Sequence, residues 1–444
     1  NVRKIDEGTV DALLTQHQQE DFGTLATSSE NKPWEIPVIQ DVTQEDFNGI
    51  LIIHKSDRIY IPLKSISDKV SNHLKHIAAF KNPEFYSKQA MRISTYNIPR
   101  IICRADFTDE YLAMPRGCED AIINMLYSLK IDYEIVDNTN HGKPIGVTFK
   151  GKERDEQLDA INALMTFSNG VLSATTAFGK TVTAAALIAR RKTNTLILVH
   201  SKALLMQWHE RLSEFLDIDF TGDEISKKRG RKKAFSPVGC LDSTSNTLHS
   251  VIDIALMQSC FENDEVKPFV KGYGMVIVDE CHHVSSITFE NVLKHVTAHY
   301  VYGLTATPIR KDGLQPIIFM QCGPIRFSVD AKAQIQKQSF QRYLVPRFTS
   351  YRPVTDDKQS FTALSQSLAE SKIRNNLIIE DVLNVVAAGR TPIILTARTS
   401  HVELLAEMLK QHVANIIQLT GEGTAKNRRE TLQKLQDIPK MPLL

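Results

Sequence analysis

The sequence has little that would indicate a membrane protein, a disulfide-stabilised protein or a zinc cluster. Its six cysteines are scattered along 444 residues, and no CxxC pair or tight group of cysteine and histidine predicts a zinc site. Thiols without a pairing pattern are typical of a reducing compartment. No apolar run approaches the roughly 18 residues that cross a bilayer, and no secretory signal opens the chain. We therefore expect a cytoplasmic protein that does not enter a membrane.

The chain also lacks an excess of either charge. It carries 53 basic and 51 acidic residues, a net charge of +2, so any surface that binds nucleic acid must be local. The densest basic segment is Lys227–Lys233, with six cations in seven positions. Two interpretations of this segment stay open: a grip on phosphate, or a solvated loop.

Length and composition predict several domains. Hydrophobic residues make up 42% and charged residues 23% of the chain, which is enough to bury several cores, and one domain takes roughly 100–200 residues. The first residue is not methionine, which favours a piece of a longer protein. The pattern of elements divides the chain as follows: residues 1–90 of uncertain fold, a small α/β unit at 91–150, an α/β domain at 151–349, a linker at 350–362 and a second α/β unit at 363–444.

Strands and helices alternate from residue 151 onward, which predicts a parallel sheet with helices on both faces. The strand candidates of this domain are Gly170–Ser173, Thr195–Val199, Val251–Ala255, Met275–Val278 and Tyr300–Leu304. The small unit before it has strand candidates Arg100–Cys103, Asp132–Val136 and Ile145–Phe149 and a helix candidate Glu119–Leu129. The last unit has strand candidates Ile393–Thr396 and Ile416–Leu419 and helix candidates Val402–Leu409 and Arg428–Leu435.

A phosphate-binding loop is predicted at Ala174–Thr181, where an AxxxxGKT pattern follows a short apolar strand and opens a helix. Backbone N–H groups at a helix N-terminus cradle phosphates, which assigns this role to the following loop residues: Thr176, Ala177, Phe178 and Gly179. Lys180 would reach the β- and γ-phosphates, and the Thr181 hydroxyl would ligate Mg²⁺. Ala174 replaces the usual first glycine, and a plain strand–turn–helix is the alternative.

Two acids follow the apolar strand candidate at 275–278. Asp279 and Glu280 would lie at the carboxyl edge of the sheet, where α/β proteins bind their ligands. Asp279 would hold Mg²⁺ and Glu280 would polarise the attacking water. His282, next to Cys281, is not expected to bind a metal. A solvated acidic strand end is the alternative, which the presence of the phosphate-binding loop in the right order disfavours.

A third element, Thr305-Ala-Thr307, follows the next strand candidate. Its two hydroxyls can bridge the acids to neighbouring loops; alone, the pattern would be an ordinary turn.

The order AxxxxGKT, DECH and TAT resembles superfamily 2 helicases and translocases. The resemblance implies ATP and Mg²⁺ as cofactors, and coupling of the site through His282, Thr305 and Thr307. It extends to the Arg-x-x-Gln element Arg154–Gln157, in which Gln157 would recognise the adenine edge with Arg154 nearby, although Glu153 stands where the family has leucine. A solvent-facing helix position is the alternative for Gln157. The implied fold class is α/β: a RecA-like parallel-sheet motor domain, an incomplete second RecA-like domain and a small N-terminal α/β DNA-recognition module.

The same resemblance implies sequence-independent contacts with a nucleic-acid backbone. The candidate residues are His200, Lys202, Gln258 and Arg398. Leu204, Leu205 and Trp208, next to two of them, are expected to be core. DNA, duplex or single-stranded, is the expected partner, with RNA left open.

The segment ahead of the motor is similar to the N-terminal module of XPB-type and phage UvsW-type helicases in Leu112–Gly117 and Asp132–Asp137. Asn82–Tyr86 and Gln89–Tyr96 look closer to the helicase part of bacterial TOTE conflict-system proteins. In that family the motor is fused to primase-like or nuclease-like parts, which implies a role in antiviral defence.

Two alternatives remain from the sequence. The family's last motifs, including an arginine finger, should follow a strand beginning near Pro442 and are absent from the sequence, so one alternative is a nucleic-acid-binding module with impaired ATP turnover. The other is a P-loop kinase or another NTPase unrelated to nucleic acid. The Arg154–Gln157 element and the DECH box argue against the second alternative.

Overall fold

In the computed structural model the following residues are described: 42–175, 178–219, 236–263, 265–285, 287–310, 312–329, 343–352, 361–413 and 415–420. The chain forms two compact units, one ending at Ser339 and one beginning at Phe340. Within the described ranges no helix combines the length and the apolar character that a membrane crossing requires.

Strands are numbered here in chain order. In the first unit they are β1 Leu51–Lys55, β2 Ile59–Pro62, β3 Ala79–Lys81, β4 Ile101–Cys103, β5 Asp106–Phe107, β6 Tyr111–Met114, β7 Tyr133–Asp137, β8 Gly146–Phe149, β9 Asn169–Ser173, β10 Thr195–Val199, β11 Leu216–Asp219, β12 Val238–Leu241, β13 Ile252–Leu256, β14 Phe261–Glu262, β15 Glu265–Val266, β16 Met275–Asp279, β17 Tyr300–Thr305 and β18 Ile325–Ser328.

Helices are numbered in the same way. Those of the first unit are α1 Asp68–Ile77, α2 Pro83–Ala90, α3 Glu119–Ser128, α4 Asp155–Met165, α5 Lys180–Arg191, α6 Lys202–Phe215, α7 Ile287–Leu293 and α8 Gln315–Cys322. Those of the second unit are α9 Phe361–Glu370, α10 Lys372–Ala387 and α11 Thr399–Lys410.

The N-terminal module is built on a five-stranded sheet in the order β5-β6-β2-β1-β7. Strand β1 alternates buried Leu51 and Ile53 with exposed Ile52, as expected for a sheet with one covered face. Helices α1 and α3 add Leu74 and Leu126 to the same core. Because β1 and β2 pair with β7 and β6, this sheet crosses the boundary that the sequence predicted at residue 90.

The motor domain has a seven-stranded parallel sheet in the order β12-β13-β10-β16-β17-β9-β18. Strands β9, β10 and β16 are buried at every position, which is typical of a parallel sheet covered on both faces. The five strands predicted for this domain are confirmed to within one or two residues at each end. The two edge strands, β12 and β18, were not predicted.

Residues just before α3 join the N-terminal module to the motor domain. The buried guanidinium of Arg116 donates hydrogen bonds to the carbonyl of Ala298 at 3.1 Å, to that of Asp57 at 3.2 Å and to that of Val296. Burial lowers the pKa of Arg116 to about 10, so the group stays charged at neutral pH. A Cβ on the adjacent Gly117 would lie 1.8 Å from the carbonyl oxygen of Phe319. The backbone of the module therefore lies directly against α8.

The second unit is described as three helices around Ile379, Val382, Leu405 and Leu409. The predicted helix at 402–409 is confirmed and lies inside α11, and α9 starts within the predicted linker. The predicted strands at 393–396 and 416–419 are wrong, because neither segment pairs with a neighbour in the described residues and Leu395 is 91% exposed. An apolar run becomes a strand only where another strand takes up its backbone hydrogen bonds. The predicted helix at 428–435 and Pro442 lie outside the described residues.

Candidate ATP site

Three loops meet at the carboxyl edge of the motor sheet. Strand β17 lies between β9 and β16, with Ser173 opposite Thr305 and Asp279 opposite Leu304. The phosphate-binding loop, the DECH box and the TAT element follow these three strands. Parallel pairing in this register therefore brings the three predicted motifs to one place.

The phosphate-binding loop ends in a backbone conformation that only glycine adopts easily. Gly179 has φ of +88°, and a Cβ there would lie 2.7 Å from Nε2 of Gln157. Helix α5 begins at the next residue, and its N-cap, Gly179, has no side chain that could cap the first turn. Its first N–H groups are thus placed to bind an anion. The Phe178 ring is fully buried in the core, which explains how the loop accepts a bulky residue; Thr176 and Ala177 lie outside the described residues.

Arg154 and Gln157 bind the phosphate-binding loop from the start of α4. Nε2 of Gln157 donates to the carbonyl of Phe178 at 2.8 Å, and Nη2 of Arg154 donates to the same oxygen. Oε1 of Gln157 accepts the backbone N–H of Arg154 at 3.0 Å. Gln157 is buried, so the solvent-facing position that was the alternative for this residue is wrong. Its role in binding adenine stays a prediction.

The lysine of the loop and the glutamate of the DECH box form an ion pair. Nζ of Lys180 lies 3.3 Å from Oε1 of Glu280, and the lysine side chain is 8% exposed. Glu280 has φ of +46°, a left-handed conformation that costs a residue with a Cβ about 1–2 kcal/mol. Such strain is concentrated at functional sites. Thr181, in the first turn of α5, is half-buried.

His282 connects the DECH box to the TAT element. Its Nδ1 lies 3.1 Å from Oγ1 of Thr305 and 3.2 Å from Oε2 of Glu280. Burial lowers the pKa of His282 more than the neighbouring Glu280 raises it, which favours a neutral ring. Thr305 is fully buried and its Oγ1 accepts the backbone N–H of Thr307 at 3.2 Å. Nη1 of Arg310, a residue that the sequence analysis missed, donates to the carbonyl of His282.

Asp279 has a partner that was predicted to be only a core residue. Nε1 of Trp208, on α6, donates to Oδ2 of Asp279 at 2.7 Å, and Oδ1 accepts the N–H of Glu280 at 3.0 Å. Burial raises the pKa of Asp279, and the bond from Trp208 opposes that rise. Trp208 is indeed core, with 1% exposure. A buried Trp N–H usually finds an acceptor, so the expectation that Trp208 is core already implied a hydrogen-bond partner without identifying it.

The predicted nucleic-acid contacts of the first unit lie beyond the ends of adjacent strands. His200 and Lys202 follow β10, and Gln258 follows β13, its neighbour in the sheet. Nδ1 of His200 is buried without a hydrogen-bond partner among the described residues. Nζ of Lys202 pairs with Oδ2 of Asp242 at 2.8 Å. Gln258 is exposed.

The remaining basic candidates are separate from this group. In the second unit, Nη2 of Arg398 donates to the carbonyl of Thr362 at 2.6 Å and its Nε to Oγ of Ser365 at 3.3 Å. The guanidinium thus holds α9 beside the start of α11, and a nucleic-acid contact for it stays a prediction. The basic segment 227–233 lies outside the described residues.

Comparison with known proteins matches the family described as "Type III restriction enzyme, res subunit" over residues 150–310. A protein named "DNA 3'-5' helicase XPB" from Kineococcus radiotolerans is 26% identical over 289 residues, covering 62% of this chain and 47% of that protein. One named "DNA 3'-5' translocase XPB2" from Sulfurisphaera tokodaii is 26% identical over 200 residues, covering 45% and 41%. The solved structure of T4 UvsW is 13% identical with a TM-score of 0.44, covering 87% of this chain and 78% of that one.

The chain spans about half the length of the curated relatives it matches, between 41% and 58% for the two XPB proteins and two proteins of Invertebrate iridescent viruses 6 and 3. The matched family segment covers the phosphate-binding loop, the DECH box and the TAT element together. These motifs thus lie together on one edge of a parallel sheet, in a chain that is similar to proteins named as DNA helicases and translocases.

Proposed function

We propose that this chain is the ATP-hydrolysing motor of a DNA helicase or translocase. The observation that carries the proposal is the cluster at the sheet edge, in which Lys180 pairs with Glu280 and Glu280 contacts His282. Hydrolysis would be phosphoryl transfer to water, in which positioning and electrostatics supply most of the catalysis.

The residues present fit ATP with Mg²⁺. The N-cap of α5 is Gly179, which offers the N–H groups of the first turn no side-chain cap, and Lys180 is a buried cation whose described partner is a carboxylate. An incoming γ-phosphate would compete with Glu280 for that lysine. The Thr181 hydroxyl and the Asp279 carboxylate would hold Mg²⁺, which would neutralise charge on the phosphates when bound.

Release from Lys180 would leave Glu280 available as the group that polarises the attacking water. Oε2 of Glu280 would still be held by His282, which in turn contacts Thr305. These contacts link the hydrolytic glutamate to the loop after β17. Coupling of hydrolysis to movement would pass through this link.

DNA is the proposed polymer. His200, Lys202 and Gln258 line adjacent strand ends on the side of the sheet that carries the ATP motifs, and the two XPB relatives are named as acting on DNA. RNA, or single-stranded rather than duplex DNA, would be distinguished by which polymer stimulates hydrolysis. The resemblance of 82–96 to TOTE proteins supports a place in a bacterial defence protein with primase-like or nuclease-like parts.

The test is ATP hydrolysis by Lys180→Ala with and without DNA. We expect loss of turnover because the variant lacks the cation that binds the β- and γ-phosphates. The matched control is Lys192→Gly, at the other end of the same helix. Lys192 is exposed and has φ of +52°, which glycine adopts without strain, so turnover should persist.

Undiminished DNA-stimulated hydrolysis in Lys180→Ala would overturn the assignment. If the unmodified chain binds DNA and ATP but does not hydrolyse ATP, its function is that of a nucleic-acid-binding module and not of a motor. If neither DNA nor RNA stimulates hydrolysis, the chain is an NTPase unrelated to nucleic acid.

A further inference from the structure

Two imidazoles and one carboxylate converge where the N-terminal module meets the motor domain. Asp137 ends β7, His141 lies in the loop after it, and His299 precedes β17. Oδ2 of Asp137 lies 3.2 Å from Nε2 of His141 and 3.2 Å from Nδ1 of His299. One ligand atom of each residue lies within 4.8 Å of those of the other two.

The carboxylate is held in place by Thr139. Oδ1 of Asp137 accepts the Thr139 N–H at 2.9 Å and the Thr139 hydroxyl at 2.5 Å. That hydroxyl oxygen also lies 2.8 Å from Nδ1 of His299. Oδ2 is therefore the oxygen that faces both histidines. The hydrogen bonds to Oδ1 fix the orientation of the carboxylate, as is usual for carboxylates that bind metals.

The backbone fixes the histidines independently of their side chains. The N–H of Asn140 donates to the carbonyl of Thr297 at 2.7 Å, and the N–H of His299 donates to the carbonyl of Asn140 at 2.9 Å. Asn140 and Ala298 form a parallel bridge. The loop of the module thus pairs through its backbone with the segment that leads into β17. The imidazole rings of His141 and His299 stack at a centroid distance of 4.1 Å.

Two of the three separations between ligand atoms match a tetrahedral ion. With metal–ligand bonds of about 2.0–2.1 Å, neighbouring ligand atoms of a tetrahedral zinc site lie about 3.3 Å apart. Both distances from the carboxylate oxygen to an imidazole nitrogen are 3.2 Å. Two imidazoles select against Mg²⁺ and Ca²⁺, which prefer oxygen ligands, and favour Zn²⁺ and similar ions. His141 is 63% exposed, which leaves the outer side open to a water as fourth ligand.

The geometry points to a binding site for a divalent ion of the zinc class, formed by Asp137, His141 and His299, that fastens the N-terminal module to the motor domain. The site is distinct from the ATP site. His299 precedes the amino end of β17, whereas Thr305 ends that strand at the ATP site, and six residues of strand span roughly 20 Å.

The test uses the full chain, freed of metal with a chelator and then titrated with Co²⁺ or Zn²⁺ in excess Mg²⁺ without ATP or DNA. We expect one equivalent of Co²⁺ to give the visible absorption of a tetrahedral site and Zn²⁺ to displace it. His141→Ala and Asp137→Asn should lose this binding. His141 is exposed, and asparagine keeps the oxygen that accepts from Thr139, so both variants should fold.

His295→Ala is the matched control. Its imidazole is exposed and contacts the carbonyl of Asn291, one helical turn earlier, so the variant should bind Co²⁺ like the unmodified chain. Thr139→Val removes the hydroxyl that contacts both the Asp137 carboxylate and Nδ1 of His299 but none of the three proposed ligands, and should weaken binding by about 10- to 100-fold.

A second measurement tests whether the metal ion stabilises the contact between the N-terminal module and the motor domain. Zn²⁺ should slow hydrogen exchange at the amides of Asn140 and His299 in the unmodified chain and not in His141→Ala. Equal affinity and stoichiometry in His141→Ala and the unmodified chain would refute the site. So would the absence of saturable binding, which would leave the three residues as a hydrogen-bonded cluster. Neither result depends on ATP hydrolysis, so the proposed function stands or falls separately.

Discussion

The indole N–H of Trp208 donates a 2.7 Å hydrogen bond to the carboxylate of Asp279, from a position 71 residues earlier in the chain. Trp208 lies on α6, the helix that begins at Lys202, one of the predicted nucleic-acid contacts. The proposed Mg²⁺ ligand and a proposed nucleic-acid contact are therefore connected through one helix. A movement of α6 on DNA binding would change the hydrogen bond from Trp208 to Asp279 directly.

Trp208→Phe tests this connection because it keeps a buried ring and removes the donor. A hydrogen bond to a charged group contributes about 1.5–3 kcal/mol, so we expect ATP turnover to fall about ten-fold or more. The Mg²⁺ concentration that gives half-maximal turnover should rise. The control is Leu212→Ala, one turn further along α6 and fully buried. It should lower stability by about 2–5 kcal/mol yet keep turnover at low temperature. Normal turnover and Mg²⁺ dependence in Trp208→Phe would show that the contact is only structural.

Arg116 is expected to hold the N-terminal module to the motor. Arg116→Met leaves the carbonyls of Asp57, Val296 and Ala298 without their charged donor. Each buried acceptor left unsatisfied costs about 1–3 kcal/mol, so the free energy of unfolding should fall by about 3 kcal/mol or more. Urea unfolding of the unmodified and variant chains measures the loss. Arg211→Met, which removes an exposed pair with Glu214, should change it by less than about 1 kcal/mol; equal effects of the two variants would contradict the assignment.

Gly117 should not tolerate a side chain. A methyl group there would lie 1.8 Å from the carbonyl oxygen of Phe319 and 2.9 Å from the carbonyl carbon of Met320, so backbone must shift. We expect Gly117→Ala to cost about 3 kcal/mol or more, or to reduce the soluble yield sharply. Gly272→Ala has no atom within 4 Å of the new Cβ and should be neutral or slightly stabilising. A urea midpoint for Gly117→Ala equal to that of the control would exclude the close approach.

The order of the motifs allowed much of the ATP site to be predicted. Features that depend on contacts between distant parts of the sequence could not be predicted. Lys180, Asp279 and Thr305 follow three apolar runs, and parallel strands carry the residues after them to one edge. The bond from Trp208 could not be derived in this way, because it depends on which face of α6 meets β16. The run Ile393–Thr396 shows the converse. Its composition suits a strand, but nothing in its own sequence supplies the neighbour that a strand requires.

Asp242 gives a prediction for the pH dependence of stability. Hydrogen bonds from Lys202, and then from Thr244, hold the pKa of Asp242 well below its usual range. A folded pKa below the unfolded value means that the group stabilises the fold fully above about pH 3.9 and loses this effect as the pH falls through the folded value. The difference in urea midpoint between the unmodified chain and Asp242→Asn should therefore be constant from pH 7 to 5 and shrink near pH 3. A difference that grows on acidification would contradict the assignment.

Asp242→Asn should also strengthen DNA binding. In the unmodified chain Nζ of Lys202 is paired with Oδ2 of Asp242 at 2.8 Å, while Oδ1 accepts from Thr244 and Ser245. Asparagine can keep the Oδ1 bonds but presents an amide N–H₂ to the lysine, which frees the ammonium group for a phosphate. One additional phosphate contact steepens the slope of log K against log salt by about 0.7–0.9.

Binding isotherms of fluorescent DNA at several salt concentrations measure both the affinity and this slope. Asp217→Asn is the matched control, since it makes the same change of charge at an exposed position on β11. A general effect of net charge would raise the affinity of both variants equally, whereas release of Lys202 predicts the steeper slope only for Asp242→Asn. If the two variants behave alike, Lys202 does not contact the backbone, and its role is to hold the turn that follows β12.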